Sequence, residues 1–236
     1  MISVCIATYN GEKYIRRQLD SILVQLSDED EIVISDDHSQ DGTLSVIDGM
    51  ASPRIRVFMN EGEKGYTPNF ENALSHAKGD YIFLADQDDV WQDNKVSVCL
   101  HWMQTHDLVV SDAIITDSGL HVTGPSFYAE RKPYRSWAGN ILKFGYLGCC
   151  MAFRRNVLKK ALPFPKDHRL CTHDNWLFLV GKTFFKTAVI DDRLVCYRRH
   201  DSATSTGGFR DTTTLGFKIR YRLYLLLSLL RVAASR

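Results

Sequence analysis

The stretch Tyr81-Ile82-Phe83-Leu84-Ala85-Asp86-Gln87-Asp88-Asp89-Val90-Trp91 joins an apolar run of strand length to three carboxylates within four positions. A buried strand that ends in mutually repelling carboxylates is costly unless water, a basic partner or a cation offsets the charge. Alternate residues of an extended segment point the same way, so we expect Asp86 and Asp88 to face one site. Their oxygens suit Mg²⁺ or Mn²⁺, and a solvated acidic turn before a helix is an equal alternative.

Strand-length apolar runs alternate with helical patterns through the first half of the chain. The predicted strands are Ile2 to Thr8, Glu31 to Ser35, Ile55 to Met59 and Tyr81 to Ala85, and the predicted helices are Tyr14 to Leu26, Asp41 to Met50 and a third that Thr67 caps and Gly79 ends. This order implies a parallel sheet whose ligands bind beyond the carboxyl ends of its strands. Three polar clusters follow those ends: Thr8-Tyr9-Asn10, Asp36-Asp37 and Asp86-Gln87-Asp88.

The second half of the chain is less regular. We predict a strand over Leu108 to Ala113, a hairpin partner over Ile114 to Val122 and a loop over Thr123 to Trp137. An apolar run over Leu147 to Phe153 follows. Short helices are predicted over Arg155 to Ala161 and over Asn175 to Val180, and Asp174 is the predicted cap of the second.

The composition excludes several classes of protein. With 236 residues, 44% of them hydrophobic, the chain can bury a full α/β core. A net charge of +1 gives no global field for nucleic acid, so we expect no nucleic-acid partner. The six cysteines include no CxxC pair, which favours a reducing cytoplasm over a disulfide scaffold. The first residues look like a strand and not a secretion signal, which again predicts the cytosol.

The motifs together are far more specific than any one of them. The set comprises Ala7-Thr8-Tyr9-Asn10-Gly11-Glu12, Ser35-Asp36-Asp37 with Asp41-Gly42-Thr43, Asn69, Asp86-Gln87-Asp88-Asp89, His173-Asp174-Asn175-Trp176 and Tyr197-Arg198-Arg199-His200. In this order they resemble an inverting GT-A glycosyltransferase of family 2, similar to bacterial rhamnosyl-, galactosyl- or glucosyltransferases of O-antigen, lipopolysaccharide or capsule assembly.

The resemblance implies an α/β GT-A fold with a Rossmann-like, mostly parallel sheet, helices on both of its faces and a C-terminal amphipathic helix. Residues 1–107 would bind the nucleotide sugar. Residues 108–210 would form the acceptor-binding and catalytic half of the same domain, and residues 211–236 the basic C-terminal helix.

The resemblance also implies roles for individual residues. It assigns the donor nucleotide to Thr8, Tyr9, Asp36, Asn69 and Asp86, and a divalent metal, Mg²⁺ or Mn²⁺, to Asp86, Asp88 and His200. Asp174 would be the general base. The family commonly has Glu-Asp where this chain has His173-Asp174, and His173 is the rival base because its reference pKa is nearer neutrality. Arg198 and Arg199 are candidates for neutralising the diphosphate.

The implied reaction is transfer of a hexose or deoxyhexose, with inversion, from a UDP- or dTDP-sugar to a hydroxyl of a lipid-linked bacterial surface polysaccharide. A cation that bridges the leaving diphosphate would stabilise the transition state more than the ground state. The sugar and acceptor stay open, because hexose specificity depends on a few hydrogen bonds from loops.

The C-terminal run from Phe217 to Arg231 has an uncharged core of only eight residues, Leu223 to Leu230. A membrane-spanning helix needs ~20 apolar residues, so this run cannot cross a bilayer. Arginines beside leucines and tyrosines suit the membrane interface, and a terminal helix packed on the domain is the alternative. With the resemblance, this predicts a peripheral protein on the cytoplasmic face of the plasma membrane.

Two other functions fit parts of the sequence. The acidic motif after an apolar strand also fits a haloacid-dehalogenase-like phosphatase that uses Asp86 as nucleophile, although such enzymes usually place this motif on the first strand. A nucleotide-sugar-binding module that has lost catalysis is the non-enzymatic alternative.

Overall fold

The computed structural model describes residues 1–200 and 214–234, whose strands pair into one eight-stranded sheet. The strands are β1 (Ile2–Thr8), β2 (Glu31–Asp36), β3 (Ile55–Met59), β4 (Tyr81–Asp86), β5 (Val90–Trp91), β6 (Leu108–Thr116), β7 (Met151–Arg154) and β8 (Thr187–Arg198). The helices are α1 (Ile15–Leu23), α2 (Thr43–Asp48), α3 (Tyr66–His76), α4 (Lys95–Trp102), α5 (Phe127–Arg131), α6 (Trp137–Leu142), α7 (Arg155–Ala161), α8 (His173–Phe184) and α9 (Leu215–Ala234), with a 3₁₀ turn at Gly148–Cys150.

The strand order is β3-β2-β1-β4-β7-β6-β8-β5. Pairing is parallel from β3 through β4 and between β6 and β8, whereas β7 and β5 run antiparallel to their neighbours. The predicted mixed α/β fold with a mostly parallel sheet is therefore confirmed. Since β1, β2, β4, β6 and β8 all run the same way, their carboxyl ends meet at one edge, with Thr8 beside Asp36 and Ala7 beside Asp86.

The core lies between the central strands and the helices that cover them. Each of β1, β2 and β4 is almost wholly buried and contains at least three consecutive apolar residues, as expected of parallel strands covered by helices. In α1, the residues Ile15, Leu19 and Ile22 are completely buried, so their three- and four-residue spacing places one apolar face against the core.

The predicted starts of α3 and α8 were each two residues too late. Helix α3 begins after Gly65, whose φ of 125° lies in a region that glycine adopts readily, so Thr67 lies in the first turn and is not the cap. Helix α8 begins after the extended Thr172, which places Asp174 inside the first turn instead of at the cap. A carboxylate there still interacts favourably with the helix dipole.

The region after β6 also differs from the prediction. The expected hairpin over residues 114–122 is reduced to a single bridge between Thr116 and Val122, because Ile114 to Thr116 continue β6 and pair with β8. The predicted loop over residues 123–137 contains α5 and the start of α6. The hydroxyls of Ser126 and Ser136 cap these helices by accepting N–H groups of the first turns.

The C-terminal helix is present as α9, slightly longer than the predicted 217–231. One face packs on the domain through buried Leu225 and Leu229, and the Tyr224 hydroxyl accepts the N–H of Asp167. None of the helices in residues 1–200 and 214–234 combines the length and apolar character needed to cross a bilayer. The predicted division between residues 210 and 211 lies outside the described residues.

Candidate active site

The ends of β1 and β2 are held together by one buried carboxylate. Asp36 accepts the hydroxyl of Thr8 at 2.7 Å, and it also accepts the N–H and the hydroxyl of Ser39, both at 2.7 Å. Neither Thr8 nor Asp36 is exposed. Thr8 and Asp36, which were predicted to bind the nucleoside, are thus in contact. Their hydrogen bonds form a buried floor beneath the loops at this edge of the sheet.

Tyr9 lies above that floor, with 51% of the residue exposed. Its N–H donates to Gln87 Oε1 at 2.9 Å, and its carbonyl accepts Gln87 Nε2 at 3.0 Å. Gln87 had no predicted role, yet this reciprocal pair ties the β1 loop to the acidic motif. Gly11 permits the arrangement, because a Cβ there would lie 2.3 Å from Gln87 Oε1.

Asn69, in the first turn of α3, contacts the end of β1. Its Nδ2 donates to the carbonyl of Thr8 at 3.0 Å, while its Oδ1 is buried without a partner among the described residues. Asn69 is thus placed beside Thr8, another residue that the resemblance assigns to the donor.

The acidic motif meets the end of β8 through Asp88. His200 Nε2 lies 2.8 Å from Asp88 Oδ2, and the imidazole lies 4.8 Å from the ring of Tyr14. The guanidinium of Arg198 lies 4.5 Å from the same Tyr14 ring, so aromatic and cationic groups support the histidine from one side. Tyr14 was predicted only as a helix residue, and this packing role was missed.

Asp86 turns toward different partners. Ligand atoms of Asp86, Asp89 and Cys149 all lie within 4.8 Å of one another, with Asp86 partly exposed and the other two buried. Burial first, and then the charges of Asp88 and Asp174, raise the pKa of Asp86 to about 7. Burial and the same acidic neighbourhood hold the pKa of Asp89 well above its usual range.

A buried lysine lies beside this acidic group. Lys95, at the start of α4, has no exposed surface, and its Nζ donates to the carbonyl of Cys149 and lies 4.6 Å from the ring of Trp91. Its positive charge lowers the pKa of Asp86, against the larger effects that raise it. The sequence predicted neither this lysine nor Cys149, because both are distant in sequence from the motif that they support.

Asp174 lies in the first turn of α8, where its Oδ1 accepts the Thr172 hydroxyl at 2.5 Å and the Asn175 N–H at 2.8 Å. Its charge contributes to the raised pKa values of Asp86 and of Tyr66. The predicted base therefore lies close enough to the acidic motif to interact with it electrostatically.

His173, the rival base, is enclosed. Only 5% of the residue is exposed, and its ring stacks on Phe70 with centroids 4.1 Å apart. Neither ring nitrogen has a partner among the described residues, and burial lowers the pKa of the imidazole. Burial therefore weakens the His173 ring as a proton acceptor.

The donor atoms at this edge suit a divalent cation. Carboxylates of Asp86 and Asp88 and the imidazole of His200 are ligands that Mg²⁺ or Mn²⁺ accepts. Burial is the largest cause of the raised pKa of Asp86, and repulsion by Asp88 and Asp174 adds to it, so a bound cation would offset charge that these carboxylates place close together. The residues fit a cation on these grounds.

Comparison with known proteins gives a family match. The sequence model of the family described as Glycosyl transferase family 2 matches residues 3–162. The chain is 28% identical over 240 residues to the UDP-Glc:alpha-D-GlcNAc-diphosphoundecaprenol beta-1,3-glucosyltransferase WfaP of Escherichia coli, covering 96% of this chain and 91% of that protein.

Solved structures share the fold. The structure of S. aureus TarS residues 1–349 in complex with UDP-GlcNAc matches with a TM-score of 0.72 and 18% identity, covering 96% of this chain and 66% of the other. The mannosyltransferase PcManGT of Pyrobaculum calidifontis, in complex with GDP-Man and Mn²⁺, matches with a TM-score of 0.63 and 19% identity, covering 100% and 75%. The predicted GT-A fold is confirmed.

Proposed function

The chain belongs to glycosyl transferase family 2, and we propose that it catalyses metal-dependent, inverting transfer of a sugar from a UDP- or dTDP-sugar to a hydroxyl of a lipid-linked bacterial surface polysaccharide. The observation that carries this proposal is the contact of Asp88 with His200, beside Asp86 and within electrostatic reach of Asp174. Carboxylates and an imidazole can hold a divalent cation, and a separate carboxylate can act as the base that this reaction uses.

We assign the donor to residues 1–107. The exposed ring of Tyr9 would support the base, while Thr8, Asp36 and Asn69 keep that loop in place and Asp86 approaches the ribose or the metal. The reciprocal hydrogen bonds between Tyr9 and Gln87 hold the proposed nucleobase site at a fixed distance from the acidic motif. A UDP donor accords with the donor in the name of the WfaP relative, and dTDP differs by only a methyl group on the base and a hydroxyl on the ribose.

Asp86, Asp88 and His200 would hold Mg²⁺ or Mn²⁺. The cation, when bound, neutralises negative charge that grows on the departing diphosphate. The protein's part is to keep Asp88 and His200 in contact before the donor arrives, with Tyr14 and Arg198 packed behind them. Little reorganisation is then needed when the charge develops.

Residues 108–210 would supply the acceptor side and the base. The acceptor oxygen forms a bond to the anomeric carbon as the bond to the diphosphate breaks on the opposite face, which inverts the configuration. Asp174 takes the proton of the attacking hydroxyl. Its Oδ1 is occupied by Thr172 and Asn175, so the other oxygen is available for the proton.

The outward face of α9 is the proposed contact with the membrane. Leu215, Ile219, Leu223, Leu227 and Leu230, spaced three or four residues apart, are 50–72% exposed and form one stripe. Arg220, Arg222 and Arg231 flank it, and residues 215–234 contain no acidic side chain. Leucines below anionic headgroups and arginines beside them would hold the enzyme at the cytoplasmic face, next to a lipid-linked acceptor.

Activity is tested with donor, metal and acceptor together. Purified enzyme with UDP- or dTDP-sugars and Mn²⁺ or Mg²⁺ should release nucleoside diphosphate and elongate a lipid-linked saccharide. Asp88→Ala should abolish both, whereas Asp93→Ala, an exposed acid nearby, should change neither. Full turnover by Asp88→Ala in the presence of EDTA would remove the metal from the proposal.

Membrane contact is tested by sedimentation with vesicles. The wild-type chain should bind phosphatidylglycerol vesicles and bind phosphatidylcholine vesicles weakly. Replacing both Leu223 and Leu227 by Asp should abolish binding, while Val24→Asp, at a residue that is 77% exposed elsewhere, should not. Equal binding by the double variant would exclude this stripe as the contact.

A further inference from the structure

The first turn of α8, which carries the proposed base, is held by two other helices. From α3, the hydroxyl of Thr67 accepts the backbone N–H of His173 at 3.2 Å, and the ring of Phe70 stacks on the imidazole. From α9, the hydroxyl oxygen of Tyr221 accepts the side-chain Nδ2 of Asn175. The C-terminal helix therefore contacts the residue directly after the proposed base.

The side chain of Asn175 depends on this contact. Only 2% of Asn175 is exposed, and its Oδ1 is buried without a hydrogen-bond partner among the described residues. Loss of the Tyr221 hydroxyl would leave both polar atoms of the amide unsatisfied, which is costly in a buried position. The amide would then turn toward water or another polar group, and the first turn of α8 would move with it.

Asp174 is linked to that amide residue by a hydrogen bond and to Tyr221 by charge. The backbone N–H of Asn175 donates to Asp174 Oδ1 at 2.8 Å, so a shift of Asn175 reaches the carboxylate directly. Burial is the largest cause that raises the pKa of Tyr221, and the charge of Asp174 raises it further. The same charge acts on Tyr66 and His173, so groups from α3, α8 and α9 surround this carboxylate.

Tyr221 lies on the inner face of α9. With about 3.6 residues per turn, it lies opposite the exposed leucine stripe of this helix. Other contacts of the inner face avoid α8: the Tyr224 hydroxyl accepts the N–H of Asp167 at 2.8 Å, and Leu225 and Leu229 are buried. One helix thus carries the proposed membrane contact on its outer face and a contact to the turn of the base on its inner face.

We propose that Tyr221 is a positioning residue for sugar transfer. Its hydroxyl holds Asn175, and thereby the Asp174 carboxylate, where Asp174 can take the proton of the acceptor hydroxyl. This catalytic consequence rests on the proposed function, because it takes Asp174 as the base. The contact of Tyr221 with the first turn of α8 does not depend on that assignment.

The positioning contact is tested by NMR on the ¹⁵N-labelled full chain without donor or metal. Tyr221→Phe removes only the hydroxyl, and it should shift the side-chain amide signals of Asn175 and the backbone amide signals of Asp174 and Asn175. Tyr224→Phe is the matched control, because it removes another hydroxyl that joins α9 to the domain, and it should leave these signals in place. Unshifted signals in Tyr221→Phe would overturn the positioning role, whether or not the chain transfers sugar.

The catalytic consequence is tested with the donor and lipid-linked saccharide on which the wild-type chain turns over. Tyr221→Phe should lower kcat roughly 5- to 100-fold and leave the KM for the donor unchanged, because only the base is misplaced. Tyr224→Phe should keep the wild-type kcat, although it also loses a hydrogen bond of α9. In an Asp174→Asn background, Tyr221→Phe should lower the residual rate by about twofold at most, because its effect passes through that carboxylate.

The outcomes separate this inference from the proposed function. Full activity of Asp174→Asn would show that the proposed base is wrong, and the catalytic role of Tyr221 would fail with it. Loss of activity in Asp174→Asn, with equal kcat in Tyr221→Phe and Tyr224→Phe, would overturn the role of Tyr221 and leave the base in place. An undiminished effect of Tyr221→Phe in the Asp174→Asn background would also overturn it.

Discussion

His200 Nε2 lies 2.8 Å from Asp88 Oδ2, although the two residues are 112 positions apart. The contact brings the end of β8 onto the motif that follows β4, and so joins the two halves proposed for donor and acceptor. It depends on the parallel pairing of β8 with β6, which delivers residues 199–200 to the same edge as the ends of β1 and β4.

Removal of the imidazole should weaken metal binding more than it destabilises the fold. We expect His200→Ala to raise the Mn²⁺ concentration for half-maximal donor hydrolysis roughly 10- to 100-fold, because one proposed ligand and the partner that orients Asp88 are both lost. His101→Ala, at an exposed histidine of α4, is the control and should match wild type. An unchanged Mn²⁺ requirement in His200→Ala would place the metal elsewhere.

Substitutions at Asp174 and His173 should distinguish the proposed base from the residue that packs beside it. Asp174→Asn should lower kcat for sugar transfer about 10²- to 10⁴-fold, because an amide cannot take the acceptor proton, while donor binding by calorimetry stays near wild type. His173→Gln should mainly reduce stability, since the ring stacked on Phe70 is lost. If His173→Gln lost catalysis without losing stability, and Asp174→Asn remained active, the two roles would be reversed.

Asp86 makes the metal-free protein sensitive to pH. Its folded pKa of about 7 lies above the ordinary value of 3.8, so the folded state holds the proton more tightly than the unfolded state. The resulting stability is fully present below about pH 4 and is lost as pH rises through 7, by about 4 kcal/mol at most. Asp86→Asn should therefore melt higher than wild type at pH 8, with a smaller difference at pH 5, in thermal scans with EDTA. A lower melting temperature for the variant at pH 8 would contradict this.

The parts of the fold that depend on local pattern could be predicted from the sequence. Ile15, Leu19 and Ile22 repeat at helical spacing because one face of α1 is buried, and the apolar runs of β1 and β4 follow from burial of both their faces. Family membership and the fourth-strand position of the Asp86 motif also argue against the phosphatase alternative.

The parts that depend on distant packing could not be predicted. The β6–β8 register shifts around Asp112, whose carboxylate accepts the N–H groups of Ala113 and Tyr128, and no sequence period indicates this irregularity. Lys95 and Cys149 meet only because the 3₁₀ turn before β7 lies against the start of α4. Similarly, Thr67 fits a cap signature, but Gly65 supplies the turn that starts α3.

Gly148 sets how closely α8 approaches the 3₁₀ turn. A Cβ at this position would lie 2.7 Å from His173 Nε2 and 3.3 Å from Asp174 Cβ. His173 cannot withdraw easily, because its ring stacks on Phe70 and its backbone N–H donates to Thr67 Oγ1 at 3.2 Å. Gly148→Ala should therefore displace the first turn of α8, destabilise the protein by roughly 1–3 kcal/mol in urea unfolding, and lower kcat by moving Asp174.

Gly216 is the matched control for Gly148. A Cβ there would meet nothing within 4 Å, and the residue lies in the first turn of α9. Gly216→Ala should leave kcat unchanged and stabilise the helix by up to about 1 kcal/mol, because alanine restricts the unfolded chain more than glycine does. If Gly148→Ala matched Gly216→Ala in both unfolding free energy and kcat, the first turn of α8 would have room to move. The position of Asp174 would then not depend on this contact.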